Sequence, residues 1–174
     1  ASVWAMTRNQ ETKTATSTTS NSSSQTTMTS SSEEEDNITT MIDKMSLEEK
    51  VGQLFFARTP QENQVSDLED YHLGGYVLFG EDTENATKES LQEKVQSFQE
   101  ASDIPLLIGS DEEGGTVTRI SNNPELVDQP FKGPQEIYAE DGWQGIIQDT
   151  KQKAGILADL GINAGLFPDA DVST

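Results

Sequence analysis

The stretch Pro105-Leu106-Leu107-Ile108-Gly109-Ser110-Asp111-Glu112-Glu113-Gly114-Gly115 decides the fold of this chain. Its first part, residues 105–109, is apolar on both faces, which is typical of a strand buried inside a parallel sheet. Its second part places three acids and two glycines directly after that strand. In parallel α/β folds, ligands bind beyond the carboxyl ends of the strands. The stretch therefore predicts a buried strand with a polar site at its end.

Helical and strand patterns alternate on both sides of this stretch. We predict three further strands, over Gln53 to Ala57, Tyr76 to Phe79 and Ile162 to Phe167. We predict four helices, over Ser46 to about Val51, Val65 to Leu73, Thr87 to Ala101 and Gly145 to Leu160. Four such β/α units indicate an α/β fold that is either an open doubly wound sheet or half of a (β/α)8 barrel. The G-x-G-x-x-G and Walker A motifs are absent, which disfavours a cofactor-binding open sheet.

Local patterns support these helices. Ser46 and Glu49 form a capping-box pattern. The spacing of Leu91, Val95 and Phe98 predicts one buried helix face. Gly161 follows the last helix, where a C-terminal glycine is typical. The apolar residues that this helix offers for burial are Ile146, Ile147, Ala154, Leu157 and Leu160.

Residues 1–36 differ in composition from residues 37–174. Between Thr7 and Ser32, 17 of 26 residues are Ser or Thr, and an acidic run ends the segment. Such a segment cannot bury enough apolar surface to offset its ordering entropy, so we predict a disordered linker. The linker is either a stalk that holds the domain away from a membrane or wall, or a plain solubilising tail. Residues 37–174 are predicted to form the folded domain.

The composition excludes several classes of function. The net charge of -20, from 11 Lys+Arg against 31 Asp+Glu, disfavours nucleic acids and anionic lipid surfaces as partners. The absence of cysteine excludes disulfides and thiolate metal sites, and one histidine excludes any site that needs two. No apolar run reaches the length of a membrane span.

Carboxylates and one arginine follow the last two strands. Arg119 can return to a carboxylate or bind a hydroxylated ligand. Such a cluster suggests carbohydrate chemistry, in which a retaining glycosidase needs two carboxyl groups; Asp111 and Asp171 are the candidate pair. The same oxygens also fit a Ca²⁺ or Mg²⁺ site.

Each of these side chains also has a purely structural interpretation. The acids after the third strand can be a solvated loop, and Glu112 or Glu113 can be a structural ion-pair partner. Arg119 can be a surface cation. Other candidates favour structural roles: Asp169 and Asp171 as loop hydrogen-bond partners, His72 as a helical side chain, and Trp143 and Phe131 as core or helix anchors rather than sugar-stacking rings.

Four motifs, in order, resemble glycoside hydrolase family 3. These are Met45 to Leu54, Gly74 to Phe79, the segment Asp111 to Arg119, which is similar to D-x-E-G-G-x-V-x-R, and the G-I-N-x-x-x-x-P-x-x-D-V segment Gly161 to Val172. The sequence departs from the family at two positions. Thr116 stands where the family commonly has arginine, and Asp169 stands where the family has an apolar residue. The resemblance is to the bacterial β-N-acetylhexosaminidase branch.

The resemblance implies the first half of a TIM-type barrel, and retaining hydrolysis of terminal N-acetylglucosamine from cell-wall or other glycans. It implies no cofactor and no metal. Asp111 would hydrogen-bond hydroxyls of the terminal sugar, Arg119 would lie beside it, Glu113 would shape the loop, and Asp171 would shape the site. The family's nucleophile, a later aspartate, and the branch's acid/base histidine have no match in this sequence. We therefore assign no catalytic residue and expect this chain alone to be inactive.

The resemblance also leaves alternatives open. A β-glucosidase-type family 3 hydrolase fits the same motifs. A non-catalytic sugar-binding or assembly module that self-associates through open sheet edges is a further hypothesis. Peptidoglycan turnover and an extracellular or cell-surface location, with anchoring through the linker, are expectations of the same kind.

Overall fold

The chain divides into two units, residues 1–43 and 44–174, and the computed structural model describes residues 37–168. In the first unit, residues 37–43 are helical and exposed. The predicted linker over residues 1–36 lies outside the described residues. The second unit contains the elements of the predicted α/β domain.

The second unit alternates helices and strands. In chain order its elements are α1 (Leu47–Gly52), β1 (Phe56–Arg58), α2 (Gln64–Tyr71), β2 (Gly75–Leu78), α3 (Gly80–Thr83), α4 (Lys88–Glu100), β3 (Leu107–Asp111), α5 (Pro134–Asp159) and β4 (Ala164–Leu166).

The four strands form one parallel sheet in the order β1-β2-β3-β4. Each strand therefore pairs with the next strand along the chain. A doubly wound sheet reverses its strand order at a switch point, whereas a (β/α)8 barrel keeps the chain order. The order confirms the prediction of successive barrel-type β/α units.

Several predicted boundaries are wrong, and two of them differ for a clear physical reason. The first strand was predicted over residues 53–57, but β1 begins at Phe56 because a turn follows α1: the Leu54 and Phe55 amides donate to the Val51 and Gly52 carbonyls at 3.1 and 3.0 Å.

The last helix was predicted from Gly145, but α5 begins at Pro134 and is interrupted at Gly142, where φ is 59°. Proline at the first helical position starts the helix, because its missing N–H would have no partner there.

The helix ends confirm the local patterns. The Ser46 amide donates to Glu49 Oε2 at 2.6 Å, and the Glu49 amide donates to Ser46 Oγ at 3.1 Å. The bond from the Ser46 amide, assisted by the Ser46 side chain, holds the pKa of the Glu49 carboxyl below its usual value. Gly161 follows α5 with φ of 80°, as a C-terminal glycine requires.

The core lies between the sheet and the helices. Ala57, Tyr76 and Ile108 are in register and face α2, α4 and α5. The predicted face of α4 is confirmed, because Leu91, Val95 and Phe98 are all buried. In α5, Leu157 is buried and Leu160 is buried just after its end, but Ile147 and Ala154 are exposed, contrary to prediction.

Asn163 joins β4 to β3. Its Oδ1 accepts the Ile108 amide at 2.8 Å, and its Nδ2 donates to the Leu106 carbonyl at 2.9 Å. Its own amide donates to the Ile108 carbonyl at 3.0 Å. The Asn163 side chain therefore extends the hydrogen-bonded ladder between β3 and β4 to a position before β4 begins.

The opposite sheet face is more exposed. Phe56 and Leu107 are in register with Gly75 on that face, and Leu166 lies farther along it. All three side chains are more than one third exposed. A Cβ atom added at Gly109 would lie 2.4 Å from the Phe56 ring, so the glycine makes room for that ring.

We expect Phe98→Ala to destabilise the chain by about 3–5 kcal/mol, because it removes a buried ring and leaves a cavity. The ring is 1% exposed and contacts the Tyr76 ring edge-on at a centroid distance of 5.2 Å. Urea unfolding followed by circular dichroism measures the loss. Phe55→Ala is the control, because Phe55 is 56% exposed. Equal losses for the two variants would contradict the assigned core.

We expect the free energy of unfolding to fall between about pH 10 and about pH 12 because of Tyr76. Burial, assisted by the Asp67 charge, raises the pKa of its hydroxyl to about 12, and the hydroxyl donates to the Gln64 carbonyl at 2.8 Å. An unfolded tyrosine ionises near pH 10, so only the unfolded state loses this proton in that interval. Tyr76→Phe should weaken the alkaline loss, and Tyr138→Phe, at a half-exposed ring, should not. An unchanged alkaline loss in Tyr76→Phe would refute the assignment.

Candidate functional site

The carboxyl ends of the strands bring the candidate side chains to one edge of the sheet. Asp111 is the last residue of β3, whereas the predicted strand ended at Gly109 and placed Asp111 in the loop. Arg58 ends β1, Phe79 follows β2, and Phe167 follows β4. Because the strands are parallel, all four residues lie at the same edge.

Glu112 is a buried hydrogen-bond acceptor for the returning loop. Its Oε2 accepts the amides of Arg119 and Ile120 at 3.0 and 2.8 Å. Its Oε1 accepts the Ser121 amide at 3.3 Å and also the Ser121 hydroxyl. The side chain is 1% exposed. Both structural interpretations offered for Glu112 are wrong: the side chain is not part of a solvated loop, and its partners are backbone amides and a hydroxyl rather than a cation.

Because Glu112 anchors this loop, the Arg119 side chain lies next to Asp111. Arg119 Nη2 lies 3.2 Å from Asp111 Oδ2, and both side chains are about one quarter exposed. The Arg119 guanidinium also stands over the Phe79 ring, 5.3 Å from its centroid. The structure thus brings together the two residues of the predicted subsite. Their sugar-binding roles stay predictions.

One polar atom of β3 and one of the loop that follows it are unpartnered within residues 37–168. Arg119 Nε and Ser110 Oγ are buried and have no hydrogen bond to the described residues. Buried polar groups are normally satisfied, and an exception calls for an explanation. Arg119 Nε belongs to the side chain that faces Asp111, whereas the Ser110 side chain lies on the other face of β3 from Asp111.

The two glycines make the tight turn that the loop needs. Gly114 and Gly115 have φ of 97° and 65°, which side chains with a Cβ rarely adopt. At Gly114 a Cβ would lie 2.1 Å from the Lys132 carbonyl oxygen, so the loop closes on itself there. The Glu113 carboxylate has no hydrogen bond or ion pair to the described residues, and its role in shaping the loop stays a prediction.

Lys153 is a functional-site neighbour that the sequence analysis missed. Its ammonium is 2.8 Å from Asp149 Oδ2 and donates to the Glu113 carbonyl at 3.0 Å. It lies over the rings of Phe131 and Phe167, 5.2 and 5.6 Å from their centroids. The side chain is 2% exposed. The only sequence signal is its position four residues after Asp149 and four before the buried Leu157.

The remaining candidates are not brought to the Asp111–Arg119 pair. His72 is exposed at the end of α2, before β2, and so at the opposite edge. Trp143 is 71% exposed on α5 and contacts the edge of Tyr138. Asp169 and Asp171 lie outside the described residues. The predicted Asp111–Asp171 pair therefore stays a prediction.

A cleft of about 750 Å³ lies between residues 126–132 and α5. Phe131 and Lys132 line it, so it adjoins the glycine turn, but neither Asp111 nor Arg119 belongs to its lining. The cleft is thus separate from the paired aspartate and arginine.

Residues 37–168 offer neither a metal-ligand cluster nor a membrane-spanning helix. No three His, Cys, Asp or Glu side chains in that range are grouped so that they could hold a metal ion. No helix in that range has the length and apolar character needed to cross a membrane.

Comparisons with known proteins agree on one family. A model of the glycosyl hydrolase family 3 N-terminal domain matches residues 46–174. Beta-hexosaminidase A from Pseudoalteromonas piscicida is 36% identical over 125 residues, which are 68% of this chain and 20% of that protein. The chain therefore spans about a fifth of this relative's length.

Solved structures of the family are also similar. A glycoside hydrolase family 3 β-N-acetylglucosaminidase from Paenibacillus sp. str. FPU-7 superposes with a TM-score of 0.61 at 26% identity, over 71% of this chain and 24% of that one. A family 3 member from Mycobacterium smegmatis str. MC2 155 superposes with a TM-score of 0.52 at 22% identity, over 74% of this chain and 39% of that one. The second similarity shows the fold alone.

We expect Glu112→Gln to destabilise the chain by about 2–4 kcal/mol. The amide would place N–H donors against the backbone N–H groups that the carboxylate now accepts. Urea unfolding gives the loss, and Glu113→Gln, where the side chain has no such bonds, should change stability by less than about 0.5 kcal/mol. Equal stability of the two variants would show that Glu112 does not anchor the loop.

Proposed function

The chain belongs to glycosyl hydrolase family 3, and we propose from this membership that it supplies the sugar-binding N-terminal part of a retaining β-N-acetylhexosaminidase. The observation that carries the proposal is the Asp111–Arg119 pair at the carboxyl edge of the sheet. The identity of 36% to a protein named Beta-hexosaminidase A supports the choice of branch.

In the proposed enzyme, the Asp111–Arg119 pair binds the terminal sugar. The Asp111 carboxylate accepts hydrogen bonds from sugar hydroxyls, and Arg119 donates hydrogen bonds beside it. Hydrogen bonds to charged groups are stronger and more directional than neutral ones, so the pair fixes the orientation of the terminal sugar. A site built this way rejects a sugar that lacks the matching hydroxyl, because its own polar groups would then be unpaired.

Bond cleavage requires other residues. Retaining hydrolysis uses a nucleophile and an acid/base group. Asp111 is engaged with Arg119, which suits a binding group rather than a nucleophile. No residue of this sequence matches the family's nucleophilic aspartate or the acid/base histidine of the hexosaminidase branch. We therefore propose that this chain binds and orients the sugar, and that Glu113 and Asp171 shape the site around it.

A second candidate function rests on the exposed sheet face. Phe56, Leu107 and Leu166 form an apolar surface that a second copy of the chain could cover, which supports a sugar-binding or assembly module. A β-glucosidase-type hydrolase would use the same Asp111–Arg119 pair.

For location, we propose a secreted or cell-surface protein that acts in peptidoglycan turnover and is held by its Ser/Thr-rich segment. The composition of residues 7–32 supports that location.

We expect the purified 174-residue chain to leave 4-nitrophenyl N-acetyl-β-glucosaminide intact. The native protein, captured from its source cells with an antibody against this chain, should hydrolyse it faster than the corresponding β-glucoside and have a mass above 19.0 kDa. In that protein, Asp111→Ala should lower kcat/KM about 10- to 100-fold, since it removes charged hydrogen bonds to the sugar.

Each other outcome points to a different function. Turnover by the chain alone would restore the Asp111–Asp171 pair as catalyst. Preference for the glucoside would support the β-glucosidase alternative. A native mass of 19.0 kDa without turnover would favour the assembly module.

A further inference from the structure

The main chain of Arg119 is held by side chains on both of its polar groups. Its amide donates to Glu112 Oε2 at 3.0 Å, and its carbonyl accepts the Thr83 hydroxyl at 2.8 Å. Thr83 is completely buried and belongs to α3, the short helix after β2. The loop after β2 therefore contacts the residue that the loop after β3 brings to Asp111.

The Arg119 carbonyl depends on the Thr83 hydroxyl. That hydroxyl has one proton, and the carbonyl oxygens of Arg119 and Gly80 lie 2.8 and 3.2 Å from it. The longer contact is the local one that threonine often makes inside a helix. The Arg119 carbonyl accepts no other hydrogen bond from residues 37–168. Leaving a buried carbonyl without a donor costs more free energy than a typical hydrogen bond contributes.

Asn123 joins the same two loops in the opposite direction. Its Nδ2 donates to the carbonyls of Thr83 and Ala86, both at 2.7 Å. Its Oδ1 accepts the Glu125 amide at 2.9 Å, and the side chain is buried. Thr83 thus donates to the loop after β3 and accepts from it, so the two loops are tied together by reciprocal hydrogen bonds.

The aromatic ring under Arg119 comes from the same turn. The Arg119 guanidinium stands over the Phe79 ring, 5.3 Å from its centroid. The Phe79 amide donates to Asp82 Oδ2 at 2.8 Å, and Asp82 Oδ1 lies 2.7 Å from Lys94 Nζ. The Asp82 side chain is buried, which anchors the turn in the domain. Residues 79–83 therefore contact Arg119 at two points, the guanidinium and the carbonyl.

We propose that Thr83, supported by Asn123, is a positioning residue of the sugar-binding site. The inference rests on the proposed function, because that function gives Arg119 its sugar. Arg119 Nη2 lies 3.2 Å from Asp111 Oδ2, longer than the roughly 2.7–2.9 Å of a strong charge-assisted bond, so this pair alone does not lock the guanidinium. The Thr83 hydroxyl fixes the main chain from which that guanidinium extends.

The first test replaces the Thr83 hydroxyl in the native protein that contains this chain. Thr83→Val should raise KM for 4-nitrophenyl N-acetyl-β-glucosaminide about 10-fold and change kcat less than about 2-fold, because a displaced Arg119 weakens ground-state and transition-state binding alike. Thr83→Ala should do the same without placing a methyl group against the carbonyl. Thr83→Ser keeps the hydroxyl and should hold KM within about 2-fold of the unchanged protein.

Thr59→Val is the matched control. Thr59 is also buried, and its hydroxyl donates to the Val77 carbonyl at 3.1 Å. The variant loses the same kind of hydrogen bond away from the Arg119 carbonyl, so KM should stay within about 2-fold. An equal rise in KM for Thr59→Val and Thr83→Val would show a general loss of packing and would overturn the proposal.

A double-mutant cycle separates positioning from stability. Arg119→Ala removes the guanidinium but keeps the carbonyl that Thr83 contacts. In that background, Thr83→Val should raise KM no further, because the group it positions is absent. Its loss in the free energy of unfolding, measured with urea, should instead be the same in both backgrounds. A KM rise of equal size in both backgrounds would contradict positioning through Arg119.

A measurement without substrate distinguishes this inference from the proposed function. Nitrogen NMR reports the environment of the buried Arg119 Nε–H group, whose signal is assigned by its loss in Arg119→Ala. The signal should shift in Thr83→Val and stay in place in Thr59→Val. An unmoved signal in Thr83→Val would refute the positioning role. A shifted signal with unchanged KM in both Thr83→Val and Arg119→Ala would keep that role and refute sugar binding by Arg119.

Discussion

The buried carboxylate of Glu112 is the interaction on which the candidate site depends. It accepts three consecutive backbone amides, those of residues 119–121, and thereby sets the point at which the loop after β3 returns. That return places Arg119 against Asp111. The next carbonyl along the chain, that of Glu113, accepts the buried Lys153 ammonium and ties the same loop to α5. One acid therefore positions the pair without belonging to it.

Much of the fold could be predicted because its signals are local. The capping box at Ser46 and the i, i+4, i+7 spacing in α4 depend on a few adjacent residues, and both are confirmed. The errors occur where tertiary contacts override local pattern. The apolar residues before Phe56 form a turn rather than a strand. In α5, Ile147 is exposed and Lys153 is buried, the reverse of what their polarity suggests. Lys153 is stable inside because its ammonium has two oxygen partners.

The candidate site was predictable in part for the same reason. Asp111 and Arg119 stand at fixed places in one motif, so sequence alone proposed them together, and the structure pairs them. The role of Glu112 was open because an acid after a strand looks the same whether it faces solvent or backbone amides. The contacts of Arg58 and Arg119 with the Phe79 ring were missed because they form only through the pairing of three strands.

The sequential strand order also gives this domain a route for folding during its synthesis. β1 pairs with β2, and β2 with β3, so each pairing joins neighbours along the chain. Closing a short loop costs less entropy than closing a long one, and such pairings form sooner. A ribosome releases the strands in the same order, N-terminal first. Vectorial synthesis therefore extends the sheet outward from β1, and the strand most recently released always becomes the growing edge.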